Sequence, residues 1–221
     1  MNEGVKGALM PNIVVFIGPS LSIDDAKQIL PDAEYLPPAK RGDFTDAVRI
    51  GVKTIVLIDG VFFQDRAVGH REILTALRTG ISVYGASSMG ALRASEMDTF
   101  GMIGIGEIYH WYRDGIINAD DEVSLVYNPE TGAVLSEPMV NIRATLKKAR
   151  VEKIINEVEE TELLRTCKAI YYPERTYRRV LREAKIPEKM KKKLSIWIKI
   201  NAVDQKRQDA MTCLKEVRDT T

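Results

Sequence analysis

The sequence is poor in the residues that build metal centres, disulfide frameworks and membrane spans. Its 221 residues include two cysteines and two histidines, and neither Cys167 nor Cys213 belongs to a Cys-x-x-Cys or Cys/His cluster. Neither a zinc site nor a disulfide scaffold is supported. No apolar run approaches the roughly 20 residues that a bilayer requires, and the N-terminus lacks a signal-peptide pattern. We therefore expect a cytoplasmic protein that makes no membrane contact and needs no cofactor.

The near-neutral net charge of +1 conceals two oppositely charged parts. Residues 1–140 hold 11 Lys/Arg against 19 Asp/Glu, whereas residues 141–221 hold 21 against 12. The Lys-rich segment 189–193 is typical of a solvated helix face, and it lacks the interleaved aromatic residues of a nucleic-acid surface. Nucleic-acid binding is therefore not expected, and the basic half is interpreted as a docking surface.

Apolar β-branched runs alternate three times with helical patterns. Continuous apolar strands that alternate with helices predict a parallel sheet covered by helices on both faces. From Pro138 onward the composition shifts to Lys, Glu, Arg, Leu and Ile at helical spacing, which predicts three or four helices. The sequence thus predicts an α/β fold of three layers over residues 1–137, followed by a basic helical region over 138–221. The predicted strands are 13–17, 54–58 and 81–84, the predicted helices are 24–30, 43–50, 66–79 and 91–99, and a hairpin is predicted at 123–127 and 133–135 around a turn at 128–132.

Each predicted strand ends in a polar turn. Because ligands of parallel α/β sheets bind beyond the carboxyl ends of the strands, these turns define one candidate substrate-binding rim. The segment after the first strand lacks both the dinucleotide-binding fingerprint and the Gly-Lys-Ser/Thr of a phosphate-binding loop, so nucleotide binding is not indicated. The candidate substrate-binding residues at the rim are Gly18, Pro19, Ser20, Asp59, Ser87, Met89 and Gly90.

The most specific motif is the segment 85–93. In this segment a predicted strand turns sharply through two serines into a predicted helix that has Gly90 at its start. A serine at such a turn lies at the positive end of the helix, and the next backbone N–H is available to an oxyanion. Ser88 fits the nucleophile position better than Ser87, and the Met89 N–H would bind the oxyanion. The alternative is that the turn is a structural helix cap or binds an anion without chemistry.

A serine nucleophile needs a base, and the chain offers His70 and His110. His70 lies near the start of the predicted helix that leads into the serine strand and is the better candidate, whereas His110 lies among aromatic residues typical of packing. Arg93 and Glu96 follow the serine turn at i and i+3, where they either contact substrate or pair with each other. The orienting carboxylate stays open among the three acidic residues Asp59, Glu72 and Glu96.

The compact acidic segment 120–122 offers carboxylates for Mg²⁺ or for a cationic partner. Successive carboxylates more often form a solvated turn, and a contact surface is the preferred interpretation. No metal site is predicted.

Several ordered motifs resemble the TfuA-like family over somewhat more than half of the chain. The serine-turn block is the most specific of them, and the helical C-terminal region adds no resemblance. The motifs are Gly18-Pro19-Ser20, Leu36 to Asp43, Ile58 to Phe62, His70 to Leu74, Gly85 to Arg93, Gly101 to Gly104 and Asp120 to Val123.

The resemblance implies a role that composition and spacing alone do not indicate. TfuA-like proteins are partners of YcaO enzymes, which activate a peptide amide with ATP so that sulfide replaces its oxygen. The implied partners are a YcaO protein, a thiocarboxylated ubiquitin-like sulfur carrier and the substrate peptide or protein. Family members are associated with thioglycine in methyl-coenzyme M reductase or with ribosomal peptide natural products. The implied activity is hydrolysis of the carrier thiocarboxylate to release sulfide, and the alternative is a non-catalytic adaptor.

Overall fold

A parallel sheet forms the centre of the fold. The computed structural model describes residues 12–61, 66–128, 130–131 and 133–221. The sheet contains five strands in the order β2-β1-β3-β4-β5, and each neighbouring pair is parallel. Five strands with helices on both faces confirm the predicted α/β class. The strands are β1 Ile13–Phe16, β2 Glu34–Leu36, β3 Thr54–Leu57, β4 Ser82–Ala86 and β5 Ile103–Ile105.

Local signals in the sequence explain several helix ends. The Ser22 hydroxyl accepts a hydrogen bond from the Asp25 N–H and caps α1, and Gly51 ends α2 in the left-handed region at φ 76°. The α-helices of the described residues are α1 Ile23–Ile29, α2 Asp43–Ile50, α3 His70–Arg78, α4 Met89–Met97, α5 Glu107–Arg113, α6 Met139–Val151, α7 Glu157–Ala169, α8 Tyr177–Glu183, α9 Glu188–Asn201 and α10 Gln205–Thr220.

The two faces of the sheet bury different apolar clusters, because successive side chains of a strand point in opposite directions. In β1, Val14 and Phe16 face a cluster that includes residues of α2, α3 and α4. Ile13 and Val15 face the opposite cluster, which includes residues of α1 and α10. All four of these side chains are buried.

Some predicted elements begin or end elsewhere. Residues 66–69 precede α3 instead of forming its first turn, and α4 starts two residues earlier than predicted, at Met89. Strands β2 and β5 were missed because each has only three residues, and the aromatic segment 107–113 is helical. The predicted hairpin is reduced to one antiparallel bridge between Tyr127 and Val134. Phe62 of the family motif, and Pro129 and Gly132 of the predicted turn, lie outside the described residues.

The C-terminal region divides between two cores. Helices α6 to α9 contribute to an apolar cluster of their own. Helix α10 instead packs against the sheet, where Cys213, Leu214 and Val217 are each 0% exposed and share a cluster with β1. The last helix is therefore part of the α/β core, and its first turn reaches the strand-end rim. No helix in the described ranges is long and apolar enough to cross a bilayer.

Asp121 and Glu122 of the acidic segment 120–122 form ion pairs with the helical region that follows, whereas Asp120 is exposed. Glu122 is 2% exposed and receives two hydrogen bonds from Arg143, at 2.8 and 2.9 Å. Asp121 accepts from Lys168 at 2.6 Å and from the fully buried Arg175 at 2.8 Å. These carboxylates meet cations of the chain itself, which the wide sequence separation concealed.

Candidate active site

A cavity of about 430 Å³ lies at the carboxyl end of the central strands. It combines the turns after β1 and β3, the serine turn after β4, the segment 123–127 and the start of α10. A site at this rim is what the parallel topology predicts. The residues that line it are Pro19, Pro38, Asp59, Gly60, Val61, Ser88, Val123, Ser124, Leu125, Val126, Tyr127, Tyr172 and Lys206.

Asp59 holds two of these turns together. One carboxylate oxygen accepts from the backbone N–H groups of Gly18 and Ser20, at 2.9 and 3.1 Å, and the other accepts from the Ser20 hydroxyl at 2.7 Å. Asp59 is 2% exposed. A buried carboxylate with three donors is well satisfied, so it fixes the shape of the rim while presenting a negative charge to the cavity.

The serine turn depends on close contact between α4 and the sheet. A Cβ atom on Gly90 would lie 1.7 Å from the Leu57 carbonyl oxygen, and one on Gly85 would lie 2.3 Å from the Gly90 oxygen. Only glycine permits this approach. The Gly90 N–H donates to the Ile58 carbonyl, which anchors the first turn of α4 to β3. The N-terminus of α4 therefore packs closely against the ends of the strands.

The two serines of the turn have different surroundings. Ser88 lines the cavity, is the N-cap residue of α4, and uses no side-chain hydrogen bond for capping. Ser87 has φ 68°, is fully buried, and its hydroxyl has no hydrogen-bond partner among the described residues. Ser87 therefore carries the backbone strain that turns the chain, and Ser88 is the serine presented to the cavity. The N–H of Met89 has no acceptor among the described residues, as is ordinary for the first residue of a helix.

Lys206 is the residue that sequence reasoning missed. It lies in the first turn of α10, is 2% exposed, and its ammonium nitrogen donates to the Val123 carbonyl at 2.9 Å. The same nitrogen lies 3.9 Å from an Asp59 oxygen. Burial lowers the pKa of Lys206, against the opposing charges of Asp59 and Asp204. No motif marks this lysine; the only available signal was its place in a helix whose apolar face continues through residues 210–217.

His70 lies in a different cluster. The Nε2 atom of His70 lies 2.8 Å from a carboxylate oxygen of Glu96. The same oxygen accepts a hydrogen bond from the Arg93 guanidinium at 2.7 Å. Arg93 also donates to the Val68 carbonyl, so the three predicted residues form one network with its own contacts. Glu96 follows Ser88 by eight residues, about 12 Å along the helix axis. His70 does not line the cavity of Ser88, and its assignment as base stays a prediction.

The structure thus brings one part of the predicted site together and leaves another apart. Pro19, Asp59 and Ser88 line one cavity, and Gly18 and Ser20 are bonded to Asp59. The remaining predicted residues contribute to the turn or lie in the second cluster. Ser87, Met89 and Gly90 build the turn, whereas His70, Arg93 and Glu96 form the second cluster.

The fold and cavity define a parallel α/β protein whose candidate site is a serine turn at the strand ends. The described residues contain no group of three His, Cys, Asp or Glu side chains arranged for a metal. The model of the family described as TfuA-like protein matches residues 59–176, which is more than half of the chain. The chain belongs to the TfuA-like family. This membership supports a role in the thioamidation system. No curated protein matches the chain significantly.

Proposed function

We propose that this protein is the sulfur-delivery partner of a YcaO enzyme in peptide backbone thioamidation, as in thioglycine formation. In this role it hydrolyses the C-terminal thiocarboxylate of a ubiquitin-like sulfur carrier and releases sulfide beside the YcaO active site. Family membership supports the pathway. The observation that carries the chemistry is Ser88, a buried serine at a helix N-terminus that lines a polar strand-end cavity.

The site suits acyl transfer. The cavity of about 430 Å³ is of the size of ligand pockets, and in this proposal it would hold the last residues of the carrier tail. Ser88 would attack the thiocarboxylate carbon, and the Met89 N–H at the positive end of α4 would bind the developing oxyanion. Sulfide leaves, and water then releases the carrier from the serine ester. His70 was the base expected from sequence, but its bond to Glu96 gives it a partner away from this cavity.

The competing function is a non-catalytic adaptor that docks YcaO with its substrate or sulfur carrier. The charge asymmetry of the chain favours it, with an acidic residue excess in 1–140 and a basic excess in 141–221. Charge reversal within Lys191 to Lys193 would then weaken association in a salt-dependent way. Lys189 and Lys192 are the better choices for this test, because Lys191 and Lys193 already donate to the carbonyls of Arg182 and Ile154.

The deciding experiment is sulfide release from a thiocarboxylated carrier, with and without the YcaO partner. We expect Ser88→Ala to reduce release by at least 100-fold while the protein stays folded. The matched control is Ser95→Ala, which removes a hydroxyl from the same helix that donates only to the Leu92 carbonyl. Wild-type release that survives Ser88→Ala would exclude the serine mechanism, and absence of release even with YcaO would support the adaptor.

A further inference from the structure

We propose that the carrier tail continues from the cavity of Ser88 into an apolar groove beside α2, which binds the residues that precede the thiocarboxylate. The inference rests on the proposed hydrolase function and names the surface that binds its substrate. The groove has a volume of about 580 Å³ and is lined by residues of β1, β2 and α2. Pro38, Val61 and Tyr127 line both the groove and the cavity of Ser88, so the two spaces adjoin.

The buried position of Ser88 requires a substrate that reaches it through a chain end. Ser88 is 3% exposed. A terminal carbon that meets its hydroxyl arrives on an extended chain, which spans about 3.3 Å per residue. The residues before that carbon then leave the cavity over one of its walls and lie on the neighbouring surface. A surface that binds them adds affinity without taking part in the chemistry.

The wall between the cavity and the groove is held by backbone hydrogen bonds. The Ala39 N–H donates to the Asp59 carbonyl at 2.9 Å, and the Val61 N–H donates to the Ala39 carbonyl at 3.0 Å. Pro38 packs against the rim so closely that a Cβ atom on Gly18 would lie 2.5 Å from the proline ring. A fixed wall keeps the groove aligned with the cavity, so a bound tail is directed at the serine turn.

The groove presents apolar side chains that the fold leaves partly exposed. Leu36 of β2 packs against the cluster that includes α2 but stays partly exposed, and Ile50 at the end of α2 is 39% exposed. Pro37 and Pro38 add ring surface and have no N–H group that needs an acceptor. Because every second side chain of an extended chain points to the same side, apolar residues at alternate positions of the tail fit this surface.

A second depression adjoins the cavity at Tyr172, and it is less suited to an apolar tail. Asp121 and Lys168 line that depression and bond to each other at 2.6 Å. Covering such an ion pair costs desolvation, whereas covering the exposed part of Ile50 removes apolar surface from water and stabilises the complex. The tail is therefore assigned to the groove beside α2.

The test measures binding of a fluorescently labelled ubiquitin-like sulfur carrier that ends in an ordinary carboxylate, so that no reaction is needed. We expect it to bind the wild type, and to bind at least 10-fold more weakly when it lacks the last 20 Å or so of extended tail, roughly six residues. Ile50→Gln should weaken binding of the intact carrier about 5-fold, and Tyr127→Ala about 10-fold. The matched control is Ile23→Gln, because Ile23 is 43% exposed on α1, which packs on the opposite face of the sheet.

Steady-state sulfide release from the thiocarboxylated carrier gives a second measurement. Ile50→Gln should raise KM about 5-fold and leave kcat within about 2-fold, because the contact is made equally in the ground state and the transition state. A merely destabilised protein would lose active molecules and would show a lower kcat instead.

Each outcome decides the assignment. Equal binding of the intact and shortened carriers, wild-type affinity in folded Ile50→Gln, or an equal loss in Ile23→Gln would overturn the groove, as would a wild type that binds no carrier. Release that requires Ser88 but not Ile50 leaves the hydrolase standing without this groove. Binding that depends on Ile50, with no release from the wild type even with YcaO, supports the groove and removes the hydrolase.

Discussion

At the scale of single residues, the serine turn combines strain with an unsatisfied group at Ser87. A non-glycine residue in the left-handed region costs about 1–2 kcal/mol, and a buried hydroxyl without a partner costs about 1–3 kcal/mol. Both features occur at Ser87, with φ 68° and a hydroxyl that has no partner in the described part of the chain. Ser87 therefore destabilises the folded protein, and this cost accompanies the sharp geometry of the turn.

We expect Ser87→Ala to stabilise the protein by about 1 kcal/mol, because it removes the unpaired hydroxyl and keeps the backbone. Ser87→Gly should also stabilise the protein, because glycine adopts a positive φ without strain. The greater entropy of glycine in the unfolded chain offsets part of this gain in stability. Urea unfolding of the two variants measures this, with Ser95→Ala as the reference. A loss of more than 1 kcal/mol in Ser87→Ala would show that the hydroxyl has a partner in the folded protein.

The two cysteines are buried thiols, which bears on sulfur transfer by a persulfide. Burial raises the pKa of Cys167 to about 12, and burial raises that of Cys213 as well. Both side chains are 0% exposed. Because the thiolate is the reactive form, neither sulfur is suited to attack an acyl or persulfide group at neutral pH.

We therefore expect Cys167→Ala and Cys213→Ala to retain sulfide release under conditions where Ser88→Ala loses it. In the wild type, a thiol reagent should modify both cysteines slowly under native conditions and quickly in denaturant. Rapid modification of the native protein, or loss of delivery in a folded cysteine variant, would instead support a persulfide route.

At the scale of elements, the strands and helices that were predicted correctly are those whose signals lie within one short segment of the sequence. The strand at 13–17 and the helix at 43–50 with its Gly51 stop were found because their signals lie within one segment. The turn between β4 and α4 that contains Ser88 was anticipated because the strand, the turn and the nearby Gly90 are contiguous. Strands β2 and β5 were not found because three residues, partly exposed, carry too little periodicity.

The missed parts of the site depend on tertiary contacts. Lys206 reaches the cavity because α10 packs on the sheet, and Asp121 is paired because Lys168 and Arg175 come from distant segments. Neither contact has a local signature. His70 was chosen because histidine is scarce and because it lies near the start of the helix that leads into the serine strand, and neither criterion gives its distance from Ser88.

Helix α10 should contribute strongly to stability because its apolar face completes one side of the sheet. We expect Leu214→Ala to cost about 2–5 kcal/mol, since Leu214 is 0% exposed in the cluster shared with β1. The matched control is Ile200→Ala on α9, where the side chain is 83% exposed and the change should stay within about 0.5 kcal/mol. Equal effects in urea unfolding would mean that α10 does not pack on the sheet in solution.

At the scale of the whole molecule, buried ion pairs connect the sheet domain to the helices that follow. Arg175 is 0% exposed and donates to the Asp121 carboxylate and to the carbonyls of Asp121, Ile170 and Cys167. Removing one partner of a buried pair leaves the other charge poorly compensated. We expect Arg175→Met to cost about 3–5 kcal/mol, whereas Arg165→Ala, at an exposed arginine that pairs with the half-buried Glu162, should cost less than about 1 kcal/mol.

The same connection should weaken in acid. Burial opposes ionisation of Asp121, but hydrogen bonds from Lys168 and Arg175 outweigh it and hold the pKa of that carboxyl below its ordinary value. A depressed pKa contributes stability that is present above the unfolded value, near pH 4, and is lost as the pH falls through the folded value. In Asp121→Asn this part of the pH dependence should disappear. Urea midpoints measured from pH 5 to pH 2.5 would then fall less steeply than in the wild type, and identical slopes would mean that other carboxylates drive the acid response.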